Sequence, residues 1–244
     1  MSRSHLPRGF GLAAALGAAL TFTAAVPPAG TAAAALPAAD SVTADAPAAD
    51  LLPAATTADP IRATSRAVTM ADVRYTWRSG CPVPPSKLRV VEMNFRGYDG
   101  VVKRGMLIVR YDKVAQTAAI FRAAYVAGFK IRRMDNPNKW YGSDEEMMKA
   151  DNTSAFNCRR VTGNSTRLSP HSYGTAIDVN TMRNPYKAAN GLWYPPNGLR
   201  WTNRSLRDAG MIFSWSTITK QVVSRGGVWG GYWTYKDYQH FELG

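Results

Sequence analysis

Two histidine motifs contain the residues best suited to chemistry. The segment SPHSYGTAID contains His171 and ends at Asp178, and the segment DYQHFE begins at Asp237 and contains His240. Two imidazoles and one carboxylate make the three-ligand set of a catalytic zinc site, which leaves a fourth position for water. Asp237, three residues before the second histidine, is a suitable base for such a water.

Each motif taken alone also has a simpler interpretation. His171 and Asp178 can form a hydrogen bond in an ordinary core, and the second motif can belong to an exposed charged tail. Asp178 lies in an apolar run, however, where a carboxylate is costly unless it is paired or bound to a metal. Gly174 permits a turn that brings the two residues together. Phe241 and the aromatic run before it indicate a packed tail.

The residues before position 67 have the composition of an export segment. A basic start is followed by an uncharged, alanine-rich apolar stretch and small residues, so we expect a signal peptide over residues 1–35. A retained membrane anchor is the alternative, but the stretch is short for a span. Residues 36–66, rich in Ala, Pro, Thr and Asp without an aromatic residue, predict a disordered linker or pro-region. No stable membrane span is expected after cleavage.

Aromatic residues begin at Tyr75 and continue to the end of the chain, which predicts a single catalytic domain over residues 67–244. Four basic and four acidic residues precede position 67, so the net charge of +13 falls on this domain. A basic surface suggests an anionic cell envelope as neighbour. Nucleic acid is not expected, because the basic residues form no recognisable binding motif.

The two cysteines, Cys81 and Cys158, are the only ones in the chain. In an exported protein an even pair indicates a disulfide rather than two free thiols. Neither stands in a CxxC pair or beside a histidine motif, so we do not expect a thiolate metal site.

Helical and strand patterns are mixed along the domain without a βαβ rhythm, which predicts an α+β fold. A capping box at Ser143 indicates a short helix through Met148. The aromatic and glycine-rich run 227–233 predicts strand and turn before the second motif. Strands are further expected at 105–110 and 130–134, and helices at 114–129, 203–209 and 216–224.

The two motifs together resemble a known family. The pattern Ser-x-His-x-x-Gly-x-Ala-x-Asp, followed by Asp-x-x-His-Phe-Glu, is similar to that of the zinc D-alanyl-D-alanine carboxypeptidases. This family includes the vancomycin-resistance-type D,D-carboxypeptidases and the L-alanyl-D-glutamate peptidases. The segments DNTSAFNCR and NPY, which begin at Asp151 and Asn184, also resemble one branch of it. The resemblance covers most of Cys81 to Leu243.

The resemblance implies a fold with a small antiparallel sheet that bears one zinc ion and is flanked by helices. It also implies a role for each site residue. It implies that Arg159, which has Arg160 as its neighbour, steadies the substrate carbonyl and that Ser169 contacts substrate. The implied zinc ligands are His171, Asp178 and His240, and the implied catalytic acid/base is Asp237.

The expected function is that of a secreted zinc metallopeptidase, which hydrolyses peptidoglycan stem peptides as a D-alanyl-D-alanine carboxypeptidase. The alternatives are an L-alanyl-D-glutamate endopeptidase of the same family and a non-catalytic wall-binding module. A non-haem iron oxygenase uses the same ligand types, but an exported protein with a disulfide suits ferrous iron poorly.

Overall fold

The structure, a computed structural model, describes Leu52 and residues 58–161 and 166–244. The predicted signal peptide, residues 1–35, lies outside the described residues, as does most of the predicted linker. Among the described helices, none has the length and apolar character needed to cross a membrane.

Helices and antiparallel strands are interspersed along the described ranges. The helices are α1 (Val114–Val126), α2 (Asp144–Lys149) and α3 (Thr217–Val223). The strands are β1 (Thr64–Ala67), β2 (Leu88–Arg96), β3 (Val102–Arg110), β4 (Ala176–Asp178), β5 (Tyr186–Lys187), β6 (Trp193–Tyr194), β7 (Val228–Trp229) and β8 (His240–Glu242).

The larger sheet has the order β1-β2-β3 with antiparallel pairing throughout. Side chains of a strand alternate between its two faces, and β2 buries both. Val91 and Met93 join the main core with α1, whereas Leu88 and Val90 pack into a second cluster with Phe156. Strand β2 is therefore covered on both faces.

A second three-stranded sheet has the order β4-β8-β7 and carries both histidine-motif strands, whereas β5 and β6 form a separate two-stranded sheet. Its register sets Asp178 opposite His240 and Ile177 opposite Phe241. Ile177 and Phe241 are buried in the main core together with residues of α1 and α3. The two flanking helices and the core thus fix this sheet, and the expected α+β fold in a single domain is confirmed.

Most predicted elements are present, with three differences. The helix expected at 203–209 is wrong: the Asn203 side chain accepts a hydrogen bond from the backbone N–H of Ser205 at 3.0 Å, so the chain turns instead. The strand expected at 130–134 is reduced to isolated bridges, Arg96 with Lys130 and Arg133 with Asn152. The long strand β2 was not expected.

The fold begins before the expected domain start at residue 67. β1 pairs with β2, Ile61 is completely buried, and Asp59 forms an ion pair with Arg122 at 2.9 Å. The amino-acid composition does not reveal this structured segment, because a single isoleucine and backbone hydrogen bonds to β2 hold it against the domain. The described residues from 58 onward are therefore structured, contrary to the expected linker up to residue 66.

The expected disulfide is present between Cys81 and Cys158, which are 77 residues apart in sequence. Cys158 is buried beside Val73 and Phe156 in the second hydrophobic cluster. The bond ties the start of the domain to the residue that precedes Arg159.

Candidate active site

The pairing of β4 with β8 positions two of the predicted ligands. Asp178 ends β4 and His240 begins β8, and the antiparallel register places them directly opposite each other. Asp178 Oδ1 lies 3.0 Å from His240 Nδ1. Both residues are buried, so the contact is shielded from water.

The third predicted ligand, His171, lies in a short 3-10 turn, Pro170–Tyr173. Ser169 precedes the turn, and its Oγ accepts a hydrogen bond from the backbone N–H of His171 at 3.3 Å. Gly174 ends the turn with φ +64°, and a Cβ there would lie 2.7 Å from the backbone N of Arg110. A glycine is therefore needed where the chain turns from His171 towards β4.

The polar contacts of the two imidazoles indicate which nitrogens face the centre. His171 Nδ1 lies 2.6 Å from the carbonyl oxygen of Ala155. A carbonyl only accepts, so Nδ1 carries the proton and Nε2 keeps its lone pair for a ligand. His240 has Nε2 3.7 Å from Glu242 Oε1, which leaves its Nδ1 on the side of Asp178.

The three inward donors lie close enough to hold one metal ion. His171 Nε2 is 3.0 Å from Asp178 Oδ2 and 3.2 Å from His240 Nδ1. Ligand bonds of about 2.0–2.1 Å in a tetrahedral site place neighbouring donors roughly 3.3 Å apart. The donor set and its spacing therefore fit a metal ion, with one position left over. Among the described residues, this triad is the group with metal-ligand geometry.

The charges of the triad favour a cation at its centre. Burial acts to raise the pKa of Asp178, but the charges and hydrogen bonds of His171 and His240 outweigh it and hold that pKa far below its usual range. Burial opposes the charged form of His240, yet its contacts with Asp178 and Glu242 raise its pKa to about 10, so a metal ion bound at Nδ1 would displace a proton. The carboxylate thus stays ionised and attracts positive charge.

Asp237 presents an unpaired carboxylate oxygen in the same cleft. Its Oδ1 is buried and has no hydrogen-bond partner among the described residues. Burial raises its pKa to about 7; His240 and Arg159 act to lower it, and Asp178 acts to raise it. A carboxyl group with a pKa near neutrality can accept a proton and return it.

A cleft of about 410 Å³ connects these groups. All six predicted site residues line it, so the structure brings the two motifs and Arg159 together. Its other charged lining residues are Asp144, Arg167, Lys187 and Glu242, and its exposed aromatic residues are Trp233 and Tyr235.

The structure distinguishes Arg159 from its neighbour. Arg159 lines the cleft, and its Nη2 lies 2.9 Å from Asp144 Oδ2. Arg160 does not line the cleft and donates from Nη1 to the carbonyl oxygen of Thr166 at 2.9 Å. Sequence reasoning missed Asp144, because its position in a capping box explained it fully as the start of a helix.

Comparison with known proteins supports the family resemblance. Residues 162–243, about a third of the chain, match the family model described as D-alanyl-D-alanine carboxypeptidase. Comparisons with curated proteins and with solved structures found no significant match. The matched segment contains both histidine motifs and lies C-terminal to Arg159. This part of the chain is therefore similar to the D-alanyl-D-alanine carboxypeptidase family, whose members are metal-dependent peptidases.

Proposed function

We propose that this protein is a zinc metallopeptidase that hydrolyses peptidoglycan stem peptides, with the terminal D-alanyl-D-alanine bond as its first substrate. One observation carries the proposal. The imidazoles of His171 and His240 and the two carboxylate oxygens of Asp178 form mutual contacts of 3.0–3.2 Å in the cleft that also contains the unpaired Oδ1 of Asp237. The family match over the same segment supports the substrate class.

The proposed metal is one zinc ion per domain, held by His171, Asp178 and His240. A bound zinc ion would supply a Lewis acid and lower the pKa of a water to about 7. The same ligand types suit ferrous iron, but the disulfide suits an oxidising compartment. An iron oxygenase would also leave the buried carboxylate of Asp237 without a function.

The chain's own residues have distinct roles in this proposal. Asp237 accepts a proton from the attacking water and passes it to the leaving amine of the peptide. Arg159 donates to the substrate carbonyl as negative charge develops there. Ser169 lines the cleft and is assigned a substrate contact, while its Oγ also holds the backbone of His171.

A non-catalytic wall-binding module is a weaker candidate. A binding module does not need a buried carboxylate oxygen without a partner, which costs free energy to maintain. Asp237 Oδ1 is such an atom, and it lies in the cleft with the complete ligand triad. The site therefore has the composition of a catalytic centre.

We further propose that the protein is exported to the cell envelope or secreted. The disulfide supports this location, because such bonds persist in oxidising compartments. Residues 1–35 would then be the signal peptide, and the residues that follow would separate the domain from the membrane. The net charge of +13 would hold the domain near an anionic envelope.

Mass spectrometry of defined muropeptides with pentapeptide stems tests the proposal. After incubation with the zinc-loaded protein, we expect loss of a single terminal alanine. A cut between the first and second stem residues would instead identify an L-alanyl-D-glutamate endopeptidase. Intact muropeptides, with zinc bound at one equivalent, would contradict peptidase activity and favour the wall-binding module.

A further inference from the structure

We propose that Asp144 is a positioning residue that holds the guanidinium of Arg159 in the cleft. Asp144 Oδ2 lies 2.9 Å from Arg159 Nη2, and the two side chains are 21% and 22% exposed. Both residues line the cleft that contains Asp237. The inference rests on the proposed function, in which Arg159 contacts the substrate carbonyl.

The backbone of Arg159 is fixed by the turn that carries His171. Its N–H donates to Ser172 Oγ at 3.0 Å, and Ser172 Oγ donates to its carbonyl oxygen at 2.7 Å. The N–H of Ser169 donates to the same carbonyl at 3.0 Å. The backbone therefore fixes where the Arg159 side chain begins, but not where its guanidinium points.

Other contacts hold the guanidinium weakly. Nη1 donates to the carbonyl oxygen of the adjacent Arg160 at 3.3 Å, and Nε is buried without a partner among the described residues. Within the same part of the chain, Asp144 is the one residue that forms an ion pair with Arg159. An arginine side chain has many rotamers, so this ion pair selects the one that points into the cleft.

Asp144 is itself held in place beside Arg159. It is the first residue of α2, and Ser143 Oγ accepts a hydrogen bond from the backbone N–H of Glu146 at 3.4 Å. The carbonyl of Gly142 accepts from Asn157 Nδ2 at 3.0 Å, which ties this loop to the segment before Arg159. The backbone at Asp144 is therefore held, and its short side chain leaves the carboxylate few positions besides the one beside Arg159.

The neighbouring residue Glu145 provides a matched control. It lies on the same helix turn and carries the same charge, but its side chain is 63% exposed and pairs with Lys149 at 2.7 Å. It does not line the cleft. A general effect of charge on α2 would therefore appear in both Asp144→Asn and Glu145→Gln, whereas a positioning effect would appear only in the first.

A double-mutant cycle on turnover tests whether Asp144 acts through Arg159. Misplacing a group that binds the transition state can cost about 100-fold, so we expect Asp144→Asn to lower kcat about 10- to 100-fold with a smaller change in KM. Glu145→Gln should keep wild-type kcat. The double variant Asp144→Asn/Arg159→Ala should be no slower than Arg159→Ala alone. Losses that multiply, or an unchanged kcat in Asp144→Asn, would overturn the proposal.

NMR relaxation of the arginine Nε–Hε groups provides a second readout that needs no turnover. The Arg159 signal, assigned by its absence in Arg159→Ala, should show restricted motion in wild type and in Glu145→Gln. It should become mobile in Asp144→Asn, and equal mobility in all three would overturn the positioning role. If the wild-type protein cleaves no stem peptide, the proposed function is wrong. The relaxation measurement would still show whether Asp144 restricts the motion of the Arg159 side chain.

Discussion

Asp178 and His240 face each other across β4 and β8, with 3.0 Å between Oδ1 and Nδ1, although 62 residues separate them in sequence. The sheet register alone creates this contact, because both residues occupy one antiparallel pair. A shift of one residue in the register would turn every side chain of β8 to the opposite face. Core packing of Ile177 and Phe241 prevents such a shift.

The triad and Asp237 should respond differently to substitution. His240→Ala removes one of three donors, so we expect the zinc content of the purified protein to fall well below one per chain. Asp237→Asn leaves the donors in place and should keep full zinc content, while kcat falls about 100- to 10,000-fold with the loss of the base. Elemental analysis and muropeptide turnover measure the two effects.

This pair of variants distinguishes the proposed role of His240 as a metal ligand from the proposed role of Asp237 as the general base. Equal zinc content in His240→Ala and wild type would remove His240 from the ligand set. Wild-type kcat in Asp237→Asn would remove Asp237 as the base. Circular dichroism of both variants serves as the control for folding.

The disulfide should contribute a large part of the stability of the domain. It closes a loop between residues 77 apart, and chain-entropy estimates for loops of this size give about 4.5 kcal/mol. We expect Cys81→Ser/Cys158→Ser to lower the free energy of unfolding by about this amount in urea titrations. An unchanged midpoint under non-reducing conditions would show that the bond does not constrain the unfolded chain.

Gly174→Ala should destabilise the fold more than a comparable glycine substitution elsewhere. Gly100 provides the control, because it also has a positive φ of +82° but no atom would lie within 4 Å of an added Cβ. At Gly174 an added Cβ would lie 2.7 Å from the backbone N of Arg110. In both variants an alanine must adopt a left-handed backbone conformation, which lowers the free energy of unfolding by about 1–2 kcal/mol. We expect Gly174→Ala to lose more, and to bind zinc more weakly because the turn positions His171.

Thermal or urea unfolding of the two variants measures this difference. Equal losses in Gly174→Ala and Gly100→Ala would mean that the contact with Arg110 is relieved without cost. Unchanged zinc affinity in Gly174→Ala would show that the conformation of this turn does not determine the position of His171.

Asp59 should stabilise the N-terminal segment in a pH-dependent way. Hydrogen bonding to Arg122 lowers the pKa of Asp59 from its usual 3.8 to about 2. Because the folded state lowers this pKa, the contribution is complete above about pH 4 and is lost as the pH falls through 2. The partner Arg122 is 42% exposed, so solvent screening limits the effect to about 0.5–1 kcal/mol.

Urea titrations of wild type and Asp59→Asn across pH test this contribution. We expect the variant to be less stable at pH 7 and the difference to shrink between pH 4 and pH 2. A constant difference over that range would show that the carboxylate charge is not responsible. A zero difference at pH 7 would mean that residues 58–63 are held by the burial of Ile61 alone.

Local sequence patterns predicted the helices and strands that have a characteristic capping motif or spacing of apolar residues. The capping box at Ser143 predicted α2, and the apolar spacing after Val114 predicted α1. The strand β2 was missed because both of its faces are buried, which removes the polar alternation that marks a half-buried strand. The segment before residue 67 was assigned to a linker because a single isoleucine gives no compositional signal.

The site was more predictable than the fold around it. His171, Asp178 and His240 could be singled out because few residue types are suited to hold a metal ion, and the structure brings the three side chains together. Asp144 could not be found, because its contact with Arg159 depends on how α2 packs against the segment after Cys158. Such a contact between distant segments has no local signature.

Zinc titration of the metal-free protein, followed by stem-peptide hydrolysis, tests the central claim most directly. Chelation should abolish cleavage, and added zinc should restore it in proportion until one equivalent per chain is bound. Full hydrolysis by the metal-free protein, or recovery in His240→Ala equal to that of wild type, would contradict a zinc peptidase centred on His171, Asp178 and His240.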